Sequence, residues 1–388
     1  MSITAPKGFR AAGVKAGLKA SGNPDLALVV NDGPAKAAAA VFTSNRVAAA
    51  PVHWSREVIK DGRVDAVILN SGGANACTGP QGFQNTHTTA EKTAEALGAS
   101  ATDIFVCSTG LIGEQLPMDK LVPAIGVAAA ELDADGGPAA ATAIMTTDSV
   151  SKQVVFTGTD AEGREFTIGG MAKGAGMLAP GLATMLVVLT TDAEVQPELL
   201  DEALRDATRV TFDRADSDGC MSTNDTVVLL ASGASGAVPT AVDFGKGLTQ
   251  VCADLARQLI GDAEGASHDI AIRTFNAASE KDAEVVSRAV ARSNLFKTAI
   301  FGKDPNWGRV LSAVGTTDAA FEPDRLNVSM NGVQICRNGS IGDDRGLVDL
   351  EPREVLVEID LQAGAAEATI WTNDLTHEYV HENSAYSS

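Results

Sequence analysis

The sequence predicts an α/β fold with a smaller α+β unit at its C-terminal end, on three observations. Short apolar runs of buried-strand length alternate with helical patterns along most of the chain. Two of these runs end in loops rich in Gly, Ser and Thr, the position where α/β folds place their chemistry. From Asp304 onward turn signals crowd in, with Asn331-Gly332 and Asn338-Gly339 marking tight hairpins. The 388 residues exceed what one core usually serves. The division is drawn at 280, giving a main domain of residues 1–280 and a C-terminal domain of 281–388.

The first legible strand is "VDAVILN" (Val64–Asn70), which ends in the glycine-rich loop "SGGANACTG". A helix is predicted in "TTAEKTAEALG", where Thr88 and Glu91 have capping-box spacing and Gly98 can close the C-terminus. "DIFVCSTG" is a second buried strand, stopping at Thr109-Gly110. An Ala-rich helix follows over Met118–Leu132, then strand candidates in "SKQVVFTG" and "EFTIGG". The stretch "KGAGMLAPGLATMLVVL" (Lys173–Leu189) reads as a Gly/Pro turn opening into an apolar strand, Met185–Leu189. Beyond it come helix "PELLDEALRDATRVTF", strand "DTVVLLASG" and helix "FGKGLTQVCADLARQLIG". Strand "HDIAIRTFNAAS" and helix "KDAEVVSRAVARS" lead into the C-terminal unit.

A formal net charge of −20 repels phosphate backbones and anionic lipid, which argues against nucleic acid and membrane surfaces as partners. No apolar run reaches bilayer length, and the basic N-terminal stretch lacks the apolar core of a signal peptide. The five cysteines are scattered without CxxC pairs, which fits a reducing, cytoplasmic compartment and no structural zinc. Cys77, Cys107 and Cys220 lie in or beside motif loops, and each is read as a buried small hydrophobe.

The inventory of catalytic residues is mostly negative. Five histidines are present, no HExxH or GxSxG occurs, and the glycine-rich loops match neither phosphate-loop pattern. Metal, nucleotide and serine-triad chemistry therefore rank low. A nucleophile that activates itself remains. A Thr at a chain N-terminus carries its own base, because its α-amine titrates near pH 7.7–8.0, about where it must work. Thr184 qualifies if the Ala183–Thr184 bond is cut. Read alone, Thr184 satisfies a backbone group at the start of a strand, in a place where little else is polar. Thr109 and the Gly110 amide, leaving a strand, could donate to an oxyanion, or could simply end that strand.

The motifs taken together resemble the ornithine acetyltransferase family, the glutamate N-acetyltransferases of arginine biosynthesis. "KGAGMLAPGLATML" resembles that family's self-cleavage segment. "NSGGANACTG", "CSTGLIGEQLP", "TTDSVSK", "DSDGCMSTNDTV", "EGASHDI", "KTAIFGKDPNWGR" and "YVHENSAYSS" follow in family order, from near the N-terminus to the last residue. The resemblance implies an αββα sandwich of the self-cleaving N-terminal-nucleophile type, with a tail that returns to the active site. It implies cleavage between Ala183 and Thr184, with Thr184 as nucleophile and Thr109 and Gly110 as the oxyanion hole. Thr147, Lys173, Thr184, Glu264, Asn383 and Ser388 match the substrate-contacting positions, with Ser388 standing where the family often has Thr.

The implied reaction moves acetyl from N²-acetylornithine to glutamate by a ping-pong route through acetyl-Thr184. No cofactor or metal is implied, although some members also accept acetyl-CoA as a substrate. The partners implied are these small molecules and the two chains of one precursor, assembled as α₂β₂. Taken without the family, Lys173 reads as a solvated loop lysine and Glu264 as a helix-end carboxylate. Two rival functions stay open at this stage: an N-terminal-nucleophile aminopeptidase or amidase that gives the acyl group to water, and a non-catalytic small-molecule binder. Trp307 and Arg309 of "DPNWGR" are read as packing and turn-fixing residues, and Asn224 and Asp225 have no assigned role.

Overall fold

The computed structural model describes residues 2–179 and 185–385. Its N-terminal part is built from strands β1 (Phe9–Val14), β2 (Leu26–Asn31) and β3 (Ala37–Phe42), helix α1 (Ala50–Val58), β4 (Ala66–Asn70), α2 (Gly79–Leu97) and β5 (Ile104–Ser108). Then come α3 (Met118–Ala130), α4 (Gly137–Ala143), β6 (Lys152–Thr159), β7 (Glu165–Lys173), β8 (Leu186–Thr191), α5 (Pro197–Val210), β9 (Thr226–Ala231) and α6 (Ala241–Gly261). The apolar runs read as strands from the sequence are fully buried: β4, β5, β8 and β9 expose no residue on either face.

Burial on both faces means that helices or another sheet must cover each side. The described residues form a sheet ordered β1-β2-β4-β5 and a second ordered β3-β9-β8-β7-β6. One core lies between the two sheets, with Phe9, Val29, Leu69 and Phe105 from the first meeting Met171, Val188 and Leu230 from the second. The outer face of the first sheet packs on α2 and α3 through Leu28, Ile68, Ala90 and Leu121. That of the second packs on α5 and α6 through Val187, Leu229, Leu204 and Leu248. The result is the expected αββα sandwich.

Two local readings change. Helix α2 begins at Gly79, so Thr88 and Glu91 lie inside it rather than at a capping box. Its buried threonines are tolerated because Thr86, Thr89 and Thr93 donate back to the carbonyls of Gly82, Asn85 and Thr89. The expectation of buried cysteines holds for Cys107, but Cys77 and Cys220 are exposed on their loops.

The remaining elements are β10 (Asp269–Ala277), α7 (Glu280–Ala291), α8 (Asn294–Phe301), α9 (Trp307–Val314), β11 (Asn327–Met330), β12 (Val333–Arg337), β13 (Ser340–Ile341), β14 (Glu354–Asp360), β15 (Ala366–Asn373) and α10 (His377–Ala385). Their sheet runs β13-β12-β11-β14-β10-β15, and one face packs on α7, α8 and α9. A division after residue 280 would separate β10 from α7, yet Ile270 and Ile272 share one core with Val286 and Val290. Asn331-Gly332 joins β11 to β12 and Asn338-Gly339 joins β12 to β13, each Asn with positive φ, as two-residue hairpins require. "DPNWGR" fixes the start of α9. The Asn306 side chain accepts from the Arg309 amide, Arg309 donates to the Leu295 carbonyl at 2.6 Å, and Trp307 packs on the core.

Candidate active site

The C-terminal ends of β5 and β7 and the start of β8 lie at one end of the sandwich, and the polar residues of the site gather there. Thr109 directly follows β5. Its amide donates to the Asn70 carbonyl at 2.9 Å, and its carbonyl accepts from the Gly73 amide at 3.0 Å. Asn224 ties the same two loops together, donating to the Ala74 carbonyl at 2.6 Å and the Ser108 carbonyl at 2.8 Å. Gly110 has φ +131°, and a Cβ there would meet the Gly73 amide nitrogen at 2.7 Å, so this position takes no side chain.

Lys173 is the last residue of β7 and only 2% exposed, not a solvated loop lysine. Its Nζ donates to the Thr109 hydroxyl at 3.4 Å. The Thr109 oxygen thus accepts from a cation and keeps its own hydrogen for another acceptor. Burial, opposed by the Asp148 carboxylate, pulls the Lys173 ammonium below its ordinary value. Asp148 accepts from the Gly174 amide and Lys152 Nζ, each at 2.6 Å, and from the Thr146 amide at 2.9 Å. Burial acts to raise the Asp148 carboxyl, but the Lys173 and Lys152 charges and the Gly174 amide outweigh it and bring it down to about 2.

Glu264 follows α6, as a helix-end carboxylate would, but it turns toward the same place. Its amide donates to the Ala175 carbonyl at 3.0 Å, and its carboxylate lies where a Cβ on Gly176 would stand, 2.5 Å away. The Asn383 side chain donates to Glu264 Oε2 at 3.0 Å, which brings the tail back to the site. The Thr376 hydroxyl anchors that tail on the Gly265 carbonyl at 2.6 Å.

Thr109, Gly110, Thr147, Lys173, Glu264 and Asn383 line one cavity of about 100 Å³, together with Thr146, Gly176 and Met177. These are all the sequence-predicted site residues that fall among the described ones. Ala183, Thr184 and Ser388 lie outside them. Larger clefts exist, about 650 Å³ along α5 and α6 and about 430 Å³ beside α8, but the first lacks this convergence and the second shares only Glu264. Chemistry rather than size marks the site. Ser267, His268 and Asp374 also cluster, but not as a triad. Ser267 and Asp374 both sit at Nδ1, and Nε2 faces the Leu350 carbonyl at 3.1 Å. Among the described residues no group of His, Cys, Asp and Glu could hold a metal ion, and no helix is long and apolar enough to cross a membrane.

Sequence reasoning assigned nothing to Asp148, Asn224 or Asp225. Their signal was position: each stands inside a motif that also carries, or lies beside, a site residue. A buried cation, a half-buried carboxylate and a polarised hydroxyl around one cavity can hold a zwitterionic small molecule and offer a donor to a developing oxyanion. Fold and site together define an αββα-sandwich protein equipped for acyl chemistry.

Comparison with known proteins specifies it further. The ArgJ family matches residues 10–388. The arginine biosynthesis bifunctional protein ArgJ of Streptomyces coelicolor is 66% identical over 388 residues, covering 100% of both chains. The protein of that name from Mycobacterium leprae is 55% identical over 393 residues, covering 100% of this chain and 96% of its own. A solved ornithine acetyltransferase from Mycobacterium tuberculosis, complexed with ornithine, is 56% identical over 48% of this chain and 96% of its own, with TM-score 0.44. The chain belongs to the ArgJ family.

Proposed function

We infer that this chain is the arginine-biosynthetic acetyltransferase that moves acetyl from N²-acetylornithine to glutamate. The observation that carries this reading is the gathering of Thr109, Gly110, Thr147, Lys173, Glu264 and Asn383 around one cavity, from segments far apart in the sequence. Both substrates are α-amino-acid derivatives. Lys173 suits their carboxylate, and Glu264 with Asn383 suits an ammonium or amide group. Thr184 Oγ, with its own α-amine as base, attacks the acetyl carbonyl, and the Thr109 hydroxyl and Gly110 amide receive the oxyanion. Ornithine leaves, and the glutamate amine takes the acetyl group from Thr184. A thioester such as acetyl-CoA could acylate the same hydroxyl, and incubation with acetyl-CoA alone tests this by mass. Membership of the family goes against the hydrolase alternative, in which water takes the acyl group.

Cleavage between Ala183 and Thr184 yields an α chain, 1–183, and a β chain, 184–388. The pairing of β7 with β8, from Ile168↔Thr191 to Lys173↔Leu186, and of β3 with β9 would hold the two chains together. An α₂β₂ assembly in the cytoplasm completes the proposal. The test is intact mass under denaturing conditions, before and after acetylornithine alone. Two chains split after Ala183, with one acetyl group on the Thr184 chain, are expected. A single chain that never gains acetyl overturns the reading.

The oxyanion donors give two further expectations. Thr109→Ala should keep the fold and lose roughly 10²–10³ in kcat, the usual cost of removing one such donor, while near-normal ornithine release would remove Thr109 from the role. Gly110→Ala forces a Cβ against the Gly73 amide. Displacing the donor loop by about 1 Å should cost on the order of 10² in kcat. A variant with unchanged kcat would show that the Gly110 amide is not used.

A further inference from the structure

Asn224 stands in the turn before β9, is buried, and does not line the catalytic cavity. Its side-chain nitrogen donates to the Ala74 carbonyl at 2.6 Å and the Ser108 carbonyl at 2.8 Å, and its Oδ1 accepts from the Thr223 hydroxyl at 2.6 Å. Two carbonyls on one side and a hydroxyl on the other leave the amide one orientation. The backbone is fixed as well. The Asn224 amide donates to the Ser222 hydroxyl at 3.1 Å, and its carbonyl accepts from the Thr226 hydroxyl at 3.0 Å.

The two carbonyls that Asn224 holds flank the oxyanion donors. Ser108 immediately precedes Thr109. Ala74 immediately follows Gly73, whose amide donates to the Thr109 carbonyl and lies against Gly110. The turn itself belongs to the other sheet. Thr226 begins β9 and its amide donates to the Met185 carbonyl at 3.1 Å, while Asp225 Oδ1 accepts from the Met185 amide at 3.0 Å. Asn224 thus ties the end of β5 in one sheet to β8 and β9 in the other. The apolar core between the sheets is non-directional and does not fix how their ends align. Short, aligned hydrogen bonds do.

We propose that Asn224 is a positioning residue of the transferase, setting the Thr109 and Gly110 donors at their working distance from the start of β8. The proposal rests on the reading of those two residues as the oxyanion hole. Such donors stabilise an oxyanion only when they stand about 2.7–3.1 Å from where it forms. Lys173 ends β7, in the same sheet as β8, and Glu264 follows α6, which packs on that sheet. A slip of the β5 end therefore moves the donors and leaves these two substrate-binding groups in place. Asn224 acts on the transition state alone, through Thr109 and Gly110.

The test follows the first half-reaction without glutamate. The burst of ornithine released from acetylornithine gives a limiting rate and a half-saturating concentration, per cut chain as counted by denaturing intact mass. Asn224→Ala should lower the limiting rate about 10²-fold, the effect of a misplacement near 1 Å. Half-saturation should not change, because only transition-state stabilisation is lost. Thr109→Ala and the double variant complete a cycle. If Asn224 acts through the donors, the double variant loses at least about fivefold less than the two single losses multiplied. Losses that multiply in full, a half-saturating concentration that rises as the rate falls, or a normal rate in Asn224→Ala each overturn the proposal. Should Asn224→Ala fail to fold or to be cut, Thr223→Val decides, since it frees Asn224 Oδ1. It should slow the burst about threefold to tenfold, the worth of one hydrogen bond, with half-saturation unchanged. A normal rate in that variant overturns the proposal. A near-normal rate in Thr109→Ala sinks the reading of the donors themselves, an outcome distinct from the others.

Discussion

Thr184→Ala is expected to give one uncut chain that never gains an acetyl group and releases no ornithine. On the proposed mechanism, replacing Thr184 by Ala removes the one oxygen that attacks in both cleavage and transfer. The two losses must therefore appear together. Removal of a hydroxyl nucleophile in another acyl-transfer enzyme costs on the order of 10⁶ in kcat, and an effect of that size is expected here. Unfolding would not account for it. Strand β8, which begins two residues later, is held by β7 on one side and β9 on the other over Leu186–Thr191, and the Met185 amide is held by Asp225. Thr184→Ser keeps a hydroxyl and should be cut and acetylated. Ornithine release by Thr184→Ala above the rate without enzyme would sink the mechanism.

Much of the fold was legible because β4, β5, β8, β9 and β10 are contiguous apolar or alternating runs bounded by turn residues. The first three strands were not. β3 reads "AAAAVF", and alanine favours helix locally. It is a strand because β9 supplies its hydrogen-bond partners, while Ala38 and Ala40 face one core and Ala39 the other. Small side chains there let two packed layers approach, a tertiary reason that no local window contains. The site divides in the same way. Its cavity residues were named from motifs, and without the resemblance Lys173 and Glu264 would have been taken for surface groups. Asp148, Asn224 and Asp225 were missed because their partners lie far off in sequence: Gly174 for Asp148, Ala74 and Ser108 for Asn224, Met185 for Asp225. The same distance explains why Thr184 read as a lone hydroxyl in an apolar setting. The polar groups around the start of β8 come from other strands and loops.

Lys152→Met is expected to cause the largest loss of stability of any substitution argued here. Lys152 is 0% exposed, and its Nζ lies 2.6 Å from both Asp148 and Asp262, whose side chains are 0% and 9% exposed. A methionine fills similar space but leaves two buried carboxylates without the cation between them. Removing one partner of a buried pair costs about 3–5 kcal/mol, since the remaining charge cannot return to water. The pH dependence tests this explanation. In wild type the Asp148 carboxyl is depressed to about 2, below its ordinary 3.8. Its contribution is therefore present above pH 4 or so and is lost as pH falls through the folded value. In Lys152→Met, burial of Asp148 is opposed only by Lys173 and the backbone amides, so its carboxyl moves up. The variant should then recover stability by taking up a proton as pH falls, while wild type has none to gain. Urea unfolding at pH 7 and pH 5 measures the difference, which should be widest at pH 7 and narrower at pH 5. A gap that stays constant between the two would mean lost packing, not stranded charge.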